Sequence, residues 1–103
     1  MLKWVALNKI FRALADPTRR YVIECLYDEE VSVMQLAESL PQGLPAILQH
    51  LKVLEESGLI RTQKIGRVRN CSLEPQALQL LAEWVAERQR PFDGRPRLPS
   101  WTG

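Results

Sequence analysis

The chain has 103 residues, 46% hydrophobic and 25% charged, with a formal net charge of +2. That size supports one domain with a modest core, burying roughly two thirds of its unfolded surface, and excludes a multi-domain architecture. No run approaches the roughly 18 apolar residues of a membrane span, and the opening MLKWVALNKIFR lacks a long apolar core and a small-residue cleavage site, so a soluble, cytoplasmic protein with no membrane partner is expected.

Leu7, Ile10, Phe11 and Leu14, extended backwards by Trp4, follow the i, i+3, i+4, i+7 spacing of one helical stripe and predict a helix over 3–15. Asp16 suits an N-cap and Pro17 the first helical position, so a second helix runs from there to about Tyr27. Asp28, Glu29 and Glu30 form a turn. Ser32 caps a short third helix, Val33 to Leu40, which buries Val33 or Met34 with Leu36, Ala37 and Leu40. Pro41-Gln42-Gly43 breaks it, and a fourth helix runs from Leu44 or Pro45 to Ser57, with Gly58 at its left-handed end. LIRTQKI and VRNCSL then read as two arms of a hairpin around Gly66-Arg67. Pro75 opens a last helix to about Arg90, with Ala77, Leu78, Leu81, Trp84 and Val85 on one stripe. Residues 1–90 are thus one folded unit, and 91–103, PFDGRPRLPSWTG, a Pro-rich flexible tail.

The fold class that follows is mainly α with a small β-hairpin: a winged helix-turn-helix of five helices and a two-stranded wing. Its second short helix fits the major groove of B-DNA, the first braces it, and the hairpin reaches the neighbouring backbone or minor groove. Charge supports this. From Ile60 to Leu73 there are Arg61, Lys64, Arg67 and Arg69 and no acid, whereas residues 21–44 carry Glu24, Asp28, Glu29, Glu30 and Glu38 and no base. Double-stranded DNA is the partner this predicts. The alternative is a winged helix that meets a protein. Salt separates the two, because wing cations on phosphates give a log K against log salt slope of roughly −4 to −7.

The stretches FRALADPTRR (11–20), LPAILQHLKVLEESGLI (44–60) and GRVRNCSLEPQAL (66–78) resemble the ArsR-type family of bacterial winged-helix repressors, in particular members without the metal-ligand motifs. The resemblance covers about residues 7–88 and implies a homodimer that represses transcription from a pseudo-palindromic operator. It further implies a dimer interface on the first and last helices, for which the two stripes supply Trp4, Leu7, Phe11 and Leu14 with Leu78, Leu81, Trp84 and Val85. A domain of this size is expected to need a second copy to cover both.

Metal-sensing relatives carry a cysteine pair before the recognition helix or His and acidic ligands on the last helix. VSVMQLAESL holds no Cys and the last helix no His, so no metal site and no cofactor are expected. A second family mode is a thiol switch, for which Cys25 and Cys71 are the candidates. Strand alternation groups Cys71 with Leu73 and favours a buried, poorly reactive thiol. One histidine, no Gly-rich phosphate loop and no nucleophile elbow leave no catalytic inventory, so the chain is not expected to be an enzyme.

At 100° per residue, Ile47, Leu51 and Leu54 form the core side of the fourth helix. The opposite face carries Pro45, Gln49 and Lys52, flanked by Ala46, Val53 and Leu48. Gln49 suits an adenine edge and Lys52 a phosphate or guanine. His50 lies beside the core stripe, where packing or a phosphate contact are both open; the resemblance, which has His here, favours phosphate. Arg61, Lys64, Arg67 and Arg69 are the wing contacts. Arg19 and Arg20, in the first turn of a helix whose dipole disfavours cations, are expected to pair with the acidic turn at 28–30 or with phosphate. Two positions depart from the family: Gly43 and Leu48 stand where relatives commonly have Ser. Gly43 is expected to cap nearly as well. Leu48 offers only an apolar contact, such as one to a thymine methyl. The tail departs too, since relatives continue more helically. No inducer is identifiable from the residues.

Overall fold

The computed structural model describes residues 2–94. Its elements are α1 (Leu2–Leu14), α2 (Pro17–Asp28), β1 (Val31–Ser32), α3 (Val33–Ser39), α4 (Leu44–Glu56), β2 (Ile60–Ile65), β3 (Val68–Leu73) and α5 (Pro75–Arg88). All five helices lie within two residues of their predicted bounds. Of the predicted tail, residues 91–94 are neither helix nor strand, and the remainder lies outside the described residues.

Local chemistry explains the boundaries. Asp16 caps α2, its carboxylate accepting from the Arg19 backbone amide at 3.0 Å, and Pro17 follows where an amide hydrogen would have had no helical partner. At α3 the cap is reciprocal: Ser32 Oγ accepts from the Gln35 amide at 3.1 Å, and Gln35 Oε1 accepts from the Ser32 amide at 2.9 Å. The end of α4 is a Schellman arrangement, with Gly58 N–H donating to Glu55 and Leu59 N–H to Leu54. Gly58 sits at φ +81°, a backbone state in which any Cβ is strained.

The expected hairpin is present and gains a short third strand. The sheet has three antiparallel strands in the order β1-β3-β2, because Val31 and Ser32 pair with Cys71 and Asn70. A two-residue strand has no periodicity to detect, and its pairing is set by the chain entering α3 alongside β3. The wing itself is β2 and β3, in register from Ile60↔Leu73 to Ile65↔Val68.

Ile10, Val22, Leu36, Ile47, Leu54, Leu59, Ile60 and Cys71 are fully buried and draw α1, α2, α3, α4 and the sheet onto one core. The period on α4 holds, with Ile47, Leu51 and Leu54 inside. On α3 it is Val33 that is buried, while Met34 is 58% exposed.

Candidate nucleic-acid interface

Because Ile47, Leu51 and Leu54 fix α4 against the core, the 3.6 period turns Pro45, Leu48, Gln49 and Lys52 out to solvent, with Ala46 and Val53 half-buried at the flanks. The turn before α4 is held by Gln42, whose amide donates to Thr18 Oγ1 at 2.9 Å. Gly43 is the N-cap, at φ +86° and ψ 164°, and makes no side-chain cap bond. The expectation that it stands in simply for a serine is therefore incomplete: this backbone region is essentially restricted to glycine, although space for a Cβ is open.

His50 does not share the open face. Its Nδ1 lies 3.3 Å from Arg19 Nη1 and 3.9 Å from Asp16 Oδ2, with 21% of the side chain exposed. A guanidinium can only donate, so in the neutral ring Nδ1 accepts and the proton is on Nε2. The same guanidinium donates from Nε to the Ala13 carbonyl at 2.7 Å and from Nη2 to the Arg12 carbonyl at 3.0 Å. Arg20 donates to the Leu14 carbonyl at 2.7 Å. Both arginines thus bind the carbonyl end of α1, which corrects the first of the two expected partners, the acidic turn. Their own helix start is unfavourable for cations, but the negative end of α1 lies beside it. The Asp16 carboxyl is held below its ordinary range, chiefly by the Arg19 amide and further by His50 and Arg19, against the opposing effect of desolvation.

The wing's cations divide. Arg61 pairs with Glu74 Oε1 at 3.3 Å and belongs to the hairpin's root. Arg69 Nη1 donates to Thr62 Oγ1 at 3.2 Å, and Thr62 in turn donates from both hydroxyl and amide to Glu55 Oε2, tying the wing to α4. Lys64 and Arg69 are direct cross-strand partners, and Arg67 is exposed at the turn. Like charges placed opposite each other cost stability in a hairpin, and a bound anion reverses the sign of that cost. Cys25 is half-buried, and Cys71 is buried, its thiol pushed up to about 11 by desolvation and the nearby Glu55 charge. Among the described residues no three side chains of His, Cys, Asp and Glu gather into a metal-ligand group, and no helix is long and apolar enough to cross a membrane.

This is a helix-turn-helix with a basic hairpin, and comparison agrees. Residues 14–63 match the helix-turn-helix domain model. The HTH-type transcriptional regulator Rv2034 of Mycobacterium tuberculosis is 39% identical over 74 residues, 72% of this chain and 69% of that protein. The transcriptional repressor SdpR of Bacillus subtilis is 29% identical over 79 residues, covering 77% of this chain and 88% of its own. Among solved structures, an ArsR family transcriptional regulator superposes with a TM-score of 0.80 at 43% identity, over 88% of this chain and 94% of that one. The chain belongs to the ArsR family of transcriptional regulators.

The stripes on the first and last helices of this ArsR protein meet within the chain: the Phe11 and Trp84 rings pack edge to face with centroids 5.2 Å apart, and Arg88 lies 5.1 Å over Trp84. Leu7 is 3% exposed and is already core, and Leu14, Leu78 and Leu81 are half-buried against that core. A large apolar surface nonetheless stays open, since Trp4, Val5, Phe11 and Val85 are 39–53% exposed. Sequence reasoning missed the role of Arg19, for which the signal was an arginine just beyond a helix end. It also missed that Met34 and Leu44 join Leu48 outside.

Proposed function

We propose that this protein is a homodimeric repressor that binds a pseudo-palindromic operator without a metal effector, in the cytoplasm and with no catalytic role. The observation that carries this reading is the open face of α4, Pro45, Leu48, Gln49 and Lys52, standing beside a hairpin that opposes Lys64 to Arg69. α4 enters the major groove, with Gln49 and Lys52 on base edges and Ala46 against the groove wall. Arg67, Arg69 and Lys64 neutralise phosphates beside it, and Arg61, held by Glu74, adds a weaker contact at the root. His50, with Nδ1 engaged by Arg19, has its Nε2–H for a phosphate.

Dimerisation covers Trp4, Phe11, Trp84 and Val85 at the centre, with Leu14, Leu78 and Leu81 beneath them and Leu7 supporting from the core. It sets two α4 helices about one DNA turn apart, roughly 34–36 Å. Residues 1–90 form the working unit. The repressor direction is supported by the similarity to the transcriptional repressor SdpR. A thiol switch through Cys25 and Cys71 is disfavoured, since a buried thiol with so high a pKa is nearly all protonated at neutral pH.

Fluorescence anisotropy with labelled duplex across a salt series tests the proposal. Arg61, Lys64, Arg67 and Arg69 from two protomers, half or more on phosphates, give a log K against log salt slope of roughly −4 to −7. A protein that recognises another protein through the same face shows no such slope with any duplex.

A further inference from the structure

The DNA-facing end of α4 has an apolar component that the fold does not require. Leu44 and Leu48, one helical turn apart, are 37% and 46% exposed. Beside them stand Met34 at 58% and Val68 at 49%, from the start of α3 and from β3. Together they line a groove of about 310 Å³, with Arg67 and Arg69 on its wing side. Single exposed leucines are ordinary, but a contiguous cluster from three elements marks a surface that is covered in use.

We propose that this groove reads thymine 5-methyl groups, making Leu44 and Leu48, with Met34 and Val68 behind them, specificity-determining residues. The inference rests on the operator-binding reading above. Two properties of the groove select duplex DNA as its occupant. It is continuous with Gln49 and Lys52 on the same helix, its cationic edge complements phosphate, and the side chains of Met34, Leu44, Leu48 and Val68 offer a base no hydrogen bond, the Ser32 hydroxyl being engaged as the cap of α3. On the major-groove edges of the four base pairs, the thymine methyl is the one apolar group such a floor can bury. Cytosine at the same place loses the methyl and sets its amino group, a hydrogen-bond donor, against leucine without a partner, so it is rejected more strongly than the methyl alone accounts for.

The test uses the full-length protein and the site enriched from random duplexes, with deoxyuridine substituted for thymidine one position at a time. Deoxyuridine removes the methyl and leaves every hydrogen-bonding group in place. At one or two positions per half-site the affinity is expected to fall about fourfold, the value of one buried methyl. Cytosine, with guanine opposite, costs more there. Leu48→Ser and, separately, Leu44→Gln abolish the deoxyuridine effect at their own positions while leaving circular dichroism and dimerisation unchanged. If every deoxyuridine duplex binds within twofold of the parent, the groove does not read methyls and an apolar effector becomes its candidate occupant. If no site is enriched at all, it is the operator-binding reading that fails.

Discussion

Replacing Arg19 by lysine keeps the positive charge but removes the planar fork that three acceptors share. Wild-type Arg19 holds the Ala13 carbonyl at 2.7 Å, the Arg12 carbonyl at 3.0 Å and His50 Nδ1 at 3.3 Å, joining the end of α1 to the middle of α4. One ammonium on a shorter reach can keep one of these at a time. Hydrogen bonds from a charged donor contribute about 1.5–3 kcal/mol each, but the α1 carbonyls are near enough to solvent for water to replace part of that. A net loss of about 1–2 kcal/mol is therefore expected for Arg19→Lys. At about 5 °C per kcal/mol for a domain of this size, thermal unfolding by circular dichroism at fixed protein concentration shifts down by about 5–10 °C. DNA affinity falls with it, because His50 loses the partner that sets its tautomer. A variant that melts within about 1 °C of wild type and binds DNA equally well refutes the bracketing role.

Three other outcomes are expected. The folded Asp16 carboxyl titrates below its ordinary value of 3.8, so its contribution is complete above that value and is lost as pH falls through the folded pKa. Asp16→Asn keeps the cap and removes this dependence; in urea unfolding the gap between wild type and variant narrows below about pH 4, and a constant gap contradicts the assignment. At pH 8, with a pKa of about 11, roughly one Cys71 thiol in a thousand is ionised. Iodoacetamide therefore labels Cys25 first and reaches Cys71 only in denaturant, whereas equal labelling of native protein restores the thiol switch. Val85→Glu puts a charge on the α1–α5 surface and is expected to give a folded monomer by sedimentation; a persisting dimer moves the interface elsewhere.

The parts of the molecule legible in the sequence are those where a period or a cap repeats a local rule. Ile47, Leu51 and Leu54 announce the buried side of α4, and with it the open side, because a helix at the surface of a small domain buries one stripe. Asp16-Pro17 and Ser32 announce helix starts through chemistry within four residues. What stayed hidden depends on neighbours distant in the chain. β1 exists because Val31 meets Cys71. Arg19 and Arg20 look misplaced when judged against their own helix, and are well placed against the end of α1. Gly43 looks like a replaced serine until its φ of +86° is known. Leu7 shares a stripe with Phe11, yet Leu7 is buried while Phe11 stays 41% exposed with its ring against Trp84 of α5.

Selection from a random duplex library by the full-length protein at low salt, with its dimeric state verified by sedimentation, tests the central claim most directly. The enriched sequence is predicted to have two-fold symmetry, with half-site centres one helical turn apart, roughly 34–36 Å, or a multiple of it. A folded, dimeric protein that enriches no sequence, or enriches one without symmetry, contradicts it.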